Sequence, residues 1–209
     1  MKTCLNKDDF DGEPRKAELA AYLEKLLQQY LQNHFPPGQA SSSPRPLNTT
    51  AMFVQRFASC VMADEFSSEL AKLLGSRQIP ETSLELVQDL ADVFCESAEG
   101  FESELMMKSV QEALLLSIDV QADCSVIEFR DSLRKYLAHH GNTALTKLFI
   151  GMHMFNSVWF ELMESDVIST KSEDALGPLS TSLEEACLAK ADAVIAGGLI
   201  DNVRKFAAK

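Results

Sequence analysis

Apolar positions recur along this chain at three- and four-residue spacing, and no stretch alternates apolar with polar as a half-buried strand would. The first such series is Leu19, Tyr22, Leu23, Leu26, Leu27, Tyr30 and Leu31, behind an acidic lead and a Pro14 that suits a first helical turn. It stops at Phe35-Pro36-Pro37-Gly38. The run Gln39 to Pro46 then has the Ser- and Pro-rich composition of a linker. Residues 1–35 therefore read as an acidic lead and an amphipathic helical arm, residues 36–47 as a linker, and 48–209 as an all-helical globular domain. Whether the arm packs on its own chain or on another is open at this stage.

Beyond the linker, Asn48 is read as the cap of a helix through Met52, Phe53, Phe57, Cys60 and Val61, and Asp64 as the start of one carrying Phe66, Leu70, Leu73 and Leu74. Pro80 and Thr82 open a helix through Leu86, Leu90 and Phe94, and Gly100 separates it from one beginning at Phe101. Ser125 and Glu128 have capping-box spacing, so a helix through Phe129, Leu133 and Leu137 is expected to run to His139-His140-Gly141. From Asn142 to Ser165 the apolar residues cover more than one face, the mark of a central helix. A polar stretch from Ser165 to Ser180 is expected to be loop, with Ser182 and Glu185 capping a last helix through Cys187, Ala191 and Val194 and a short tail bearing Leu199, Ile200, Val203 and Phe206. The fold class is all-α. About seven or eight helices are expected in antiparallel pairs, as a bundle or a short HEAT-like stack.

Composition narrows the function. Of 209 residues, 46% are hydrophobic and 24% charged, ordinary values for a globular chain, and no apolar run approaches a membrane span. The expected location is the cytoplasm, or the nucleus as well, without membrane insertion. A net charge of −12 repels nucleic-acid phosphates and favours neutral or basic protein partners. Five widely spaced cysteines without a Cys-x-x-Cys pair suit reduced, buried thiols rather than a disulfide framework or zinc ribbon.

Candidate chemistry is sparse. Lys7 to Gly12 with Glu18 has the spacing of a calcium loop, but Lys7 stands at the first ligand position and Pro14 interrupts the second half, so the segment reads as solvated acid. His34, His139, His140 and His153 lack helical metal-site spacing, and Walker, Rossmann and nucleophile-elbow signatures are absent from the sequence. No catalytic residue, metal or cofactor is assigned, and the chain is read as a non-enzyme.

The positions that remain are surfaces. Leu23-x-x-Leu26-Leu27 and Leu70-x-x-Leu73-Leu74 each place three leucines on one helical face, fit either for core packing or for a hydrophobic groove of the kind nuclear receptors offer. Leu23, Leu26, Leu27, Tyr30, Leu70, Leu73, Leu74 and Trp159 are the candidate partner-binding residues, and Ser43-Pro44 is a candidate proline-directed phosphorylation site at Ser43. The leading expectation is a helical adaptor or scaffold for protein–protein interaction, with homo-oligomerisation left open. The alternative is a small-molecule or lipid binder whose apolar pocket is lined by Met106, Met107, Met152, Met154 and Met163.

Phe129-Arg130-x-x-Leu133 followed by Lys147-Leu148-Phe149-Ile150-Gly151 resembles two landmarks of the middle domain of eukaryotic translation-initiation scaffold proteins. The resemblance covers at most residues 48 to 165. It implies a stack of antiparallel helix pairs and an adaptor role in translation or mRNA regulation. The connection from Phe129 to Phe149 is shorter than that family has, and the chain's acidity departs from its RNA-binding members.

Overall fold

The computed structural model describes residues 13–35, 46–75, 78–121, 123–165 and 173–196, with side chains from residue 19 in the first helix and 176 in the last. These residues form eight helices: α1 (Glu13–His34), α2 (Pro46–Met62), α3 (Phe66–Leu73), α4 (Ser83–Phe94), α5 (Gly100–Leu116), α6 (Val126–His140), α7 (Ala144–Glu164) and α8 (Glu173–Val194). Among the described residues there is no strand, only an isolated bridge between Thr82 and Ser125. That bridge joins two helix caps. Thr82 Oγ1 accepts from the Glu85 amide, Ser125 and Glu128 satisfy each other's orphan amides in a full capping box, and Ser83 N donates to Cys124 O at 2.8 Å. The N-termini of α4 and α6 are thus pinned side by side.

The centre is α7, as its broad apolar coverage predicts. It packs against α1, α2, α5, α6 and α8, while α4 lies outside it on α5 and α2. Six consecutive residues, Phe149 to Met154, are all buried, which a helix achieves only when neighbours cover every side. Gly151 makes one of those approaches. A Cβ there would sit 2.6 Å from Leu188 Cδ2, so the missing side chain is what lets α7 and α8 lie so close. Phe57, Phe94, Phe129 and Phe149 are fully buried and form the aromatic part of the core.

Several boundaries differ from the sequence reading. Asn48 lies inside α2 and does not cap it, α3 begins at Phe66 behind Glu65 and not at Asp64, and Ser182 lies inside α8 and does not cap it. Pro46 and Leu47, read as the end of the linker, form the first turn of α2, because a proline at the first helical position loses no intrahelical bond and Leu47 gains a buried site. Asn142 does not cap α7, which starts at Ala144 behind Thr143; its carbonyl instead accepts from Gln55 Nε2 at 3.1 Å. The stretch Ser165 to Ser180 is helical from Glu173 on. Pro178 lies inside α8, near enough its start to cost a single ladder bond, and Leu183, Cys187 and Ala191 hold the helix in the core. The acidic lead, most of the linker and the tail after Ala196 lie outside the described residues. No helix among those described is long and apolar enough to cross a membrane.

Candidate partner-binding surfaces

The leucines of α1 face the chain's own core. Leu26, Leu27 and Tyr30 are buried and Leu23 is half-buried, with α1 laid on α7 and Lys190 of α8 reaching Glu24 at 2.9 Å. A buried tyrosine needs a polar partner, and Tyr30 Oη finds His153 Nδ1 on α7 at 2.6 Å. Burial, with His34 beside it, pushes the His153 pKa down to about 3, so the imidazole is neutral; burial also raises that of Tyr30 well above the usual phenol range. His153 Nε2 and Asn156 Oδ1 have no hydrogen-bond partner among the described residues. Presenting the α1 leucines to another protein would require α1 to leave this bed.

The second leucine set is also covered: Leu70 and Leu74 are buried and Leu73 half-buried at the C-terminal end of α3, which packs on α2. Arg130 fastens the corner between them. Its Nη2 donates to Ala63 O at 2.7 Å, its Nε to Val61 O at 3.4 Å, and the guanidinium stacks 4.8 Å from the centre of the Phe66 ring. Phe129, Leu133, Phe149 and Ile150 are fully buried. The buried apolar members of the landmarks that carry the initiation-scaffold resemblance are therefore packing residues. Ser43 lies outside the described residues.

Trp159, a candidate from the sequence, is half-buried, stacks on Phe155 at 5.8 Å and precedes an exposed aromatic residue on the same helix. Phe160, 38% exposed, meets Phe101 of α5, 48% exposed, at a ring separation of 4.4 Å. Met163, 47% exposed, follows Trp159 by four positions and Phe160 by three, which sets it over both on the helix surface. Exposed carboxylates Glu99, Glu102, Glu104, Glu161 and Glu164 flank this corner in sequence. Phe160 lies on the helix whose apolar coverage marks it as central, next to the candidate Trp159. Phe101 carried no such signal, because as the first apolar residue after Gly100 it reads simply as a helix start.

A cleft of about 650 Å³ opens at the other end of α5, between the segment Leu116–Val120 and the α6 residues Glu128, Asp131, Ser132, Lys135 and Tyr136. Leu116, 56% exposed, and Val120 supply its apolar wall, and Asp119, Glu128 and Asp131 its charge. Hydrogen bonds from Ser125 lower the pKa of Glu128 and hold it ionised. A smaller cavity of about 240 Å³ lies between α6, α7 and α8, walled by Tyr136, His140, Leu148, Leu188 and Ile195 among others. Leu116 was the available sequence signal, since Leu114, Leu115 and Leu116 in a row cannot all share one buried face. Neither cavity is lined by the five methionines of the ligand-binding alternative. Met106, Met152 and Met154 are buried, Met107 is half-buried and Met163 is on the aromatic corner.

The chemistry elsewhere is quiet. Burial raises the thiol of Cys60 to about 11 and those of Cys95 and Cys187 to about 12, leaving them protonated at neutral pH. Among the described residues no three His, Cys, Asp or Glu side chains are grouped to hold a metal. No protein-family model, curated protein or solved structure matches the chain.

Proposed function

We propose that this chain is a non-enzymatic helical adaptor whose product is a protein–protein complex, and that the corner formed by Phe101, Phe160, Met163 and Trp159 receives the partner. The exposed Phe101–Phe160 pair carries the reading. Large aromatic side chains left in water beside Met and Trp are the composition of interface anchors, and such side chains dominate interface energetics once a partner removes them from solvent. The surrounding carboxylates favour a neutral or basic partner that sets aliphatic or aromatic residues next to Lys or Arg. The initiation-scaffold resemblance supports looking for that partner among translation and mRNA factors.

The test compares the intact chain with Phe101→Ser/Phe160→Ser, each used as bait for quantitative mass spectrometry and each checked for unchanged helix content by circular dichroism. A partner retained by the first and lost by the second, which then binds the purified chain with an affinity that falls at least about tenfold in the double variant, is the expected result. Equal recovery by both sinks the proposal. Sedimentation of the purified chain tells a second copy from a different protein.

A further inference from the structure

We propose that the end of the bundle away from the aromatic corner is a second docking surface, and that it takes a segment of another protein in which Lys or Arg is interleaved with Leu, Ile or Phe. Exposed apolar area is the first observation. Seven large hydrophobic side chains stand exposed among the described residues, and they fall into two groups. Phe101, Phe160 and Met163 belong to the corner. The other four are Leu84, Leu116, Val120 and Ile127, the last 69% exposed.

Local geometry brings these four to one end. Helices α4 and α5 follow each other through a short connection and pack together, with Gln111 Nε2 donating to Gln88 Oε1 at 2.7 Å. One turn back along α4 from that bond is Leu84, and one turn on along α5 is Leu115, next to Leu116. The bridge between Thr82 and Ser125 pins the caps of α4 and α6, so Leu84 and Ile127, each two residues past its cap, share that end. Leu116, Ile118 and Val120 then face Glu128 and Asp131 across the cleft.

Charge decides the occupant. Residues 79–129 carry twelve acidic side chains and a single basic one, Lys108, while the rest of the chain is nearly balanced, with nineteen acidic against eighteen basic. At this end Glu81, Glu85, Asp119, Asp123, Glu128 and Asp131 are exposed, and none of the six is in an ion pair among the described residues. The preference of helix N-termini for carboxylates accounts for Glu85 and Glu128, the third residues of α4 and α6, but not for the other four. Lys135 is the one cation in the cleft wall. Such a surface repels nucleic acid, acidic lipid and a second copy of this chain, whose own net charge is −12. Exposed ion pairs contribute only about 0.2–1 kcal/mol each, so the fitting partner sets several cations along one segment and places apolar side chains on the four left in water. Phe101 and Leu116 are about 22 Å apart along α5, so the two surfaces are separate and the chain can hold two proteins at once. The inference does not depend on the aromatic corner.

The probes are three synthetic peptides of about 14 residues, or four helical turns. One has Leu and Lys at amphipathic helical spacing, the second has each Leu replaced by Ser, and the third has each Lys replaced by Glu. Each is titrated into the intact ¹⁵N-labelled chain and followed by amide chemical shifts. The Leu/Lys peptide should shift residues 81–85, 116–120 and 123–128. Its affinity should fall at least about tenfold in Leu84→Ser/Ile127→Ser and in Asp119→Lys/Asp131→Lys, with helix content unchanged, and should drop steeply as salt is added. The Leu-to-Ser peptide should bind at least about tenfold more weakly, the Lys-to-Glu peptide not at all, and Phe101→Ser/Phe160→Ser should bind the first peptide as the parent chain does. Shifts centred on Phe101 and Phe160, no binding of the Leu/Lys peptide, or equal affinity for the Leu-to-Ser peptide or for either double variant overturns the proposal. So does sedimentation that shows a dimer lost in Leu84→Ser/Ile127→Ser, because a second copy is then the occupant.

Discussion

The two ends of α7 are made of similar side chains and behave as opposites. Around Phe149 to Met154 the helix is covered on all sides by α1, α2, α5 and α8, and even its polar members are inside: His153 bonded to Tyr30, Asn156 donating to Ser109 Oγ at 3.1 Å and to Glu112 at 2.7 Å. Two turns later Phe160 and Met163 are partly exposed to solvent. Hydrophobicity does not separate these regions, since positions 149 and 160 are both phenylalanine. What separates them is whether another helix passes overhead. The buried end then holds the protein together, and in the proposed function a partner does for Phe160 what the neighbouring helices do for Phe149.

The sharpest way to break that contrast is to truncate the buried ring. Phe149→Ala should cost about 3–5 kcal/mol in urea unfolding, because the lost transfer energy is joined by a cavity that its closely packed buried surroundings cannot collapse. A loss under about 1 kcal/mol would mean that α7 is not the load-carrying core.

Next comes pH. His153 has a folded pKa of about 3 against an ordinary 6.5, so between those values the unfolded chain binds a proton that the folded chain refuses. Unfolding therefore takes up protons, and stability falls as pH drops through this window. The slope corresponds to about 2 kcal/mol lost from pH 7 to pH 5. Imidazole proton shifts of His153 that titrate near 6.5 in the folded protein would contradict this account. Tyr30→Phe is expected to do slightly less, about 1–2 kcal/mol at pH 7, by leaving a ring nitrogen of His153 buried without its hydroxyl. It should also weaken the hold on α1, read as faster amide exchange across Leu23 to Leu31 with α4 and α5 unaffected.

These effects show why part of the molecule was legible in the sequence and part was not. The central helix could be read because apolar residues on more than one face permit no half-buried placement. The capping box at Ser125 and Glu128 could be read because its bonds are local. Pro178 misled because a proline argues against a helix interior, while the packing of Leu183 and Cys187 that overrides it is tertiary. The Tyr30–His153 bond joins residues 123 apart, and Phe101 meets Phe160 across 59 positions of sequence, so neither leaves a spacing to find. The cis placement of the α1 leucines is invisible for the same reason. A Leu-x-x-Leu-Leu face is identical whether its groove is supplied by the same chain or another.

The smallest effect is the most informative. Phe160→Ser removes a ring that is already partly in water and meets another exposed ring, so its cost in unfolding should stay under about 1 kcal/mol. In binding, the same substitution deletes an anchor, and a partner seated on the corner should lose about 2 kcal/mol or more. A residue that matters more to association than to folding inverts the position of Phe149, where stability is lost first and every function with it. If Phe160→Ser instead destabilises the fold as Phe149→Ala does, the corner is an extension of the core, and the difference between the two ends of α7 disappears.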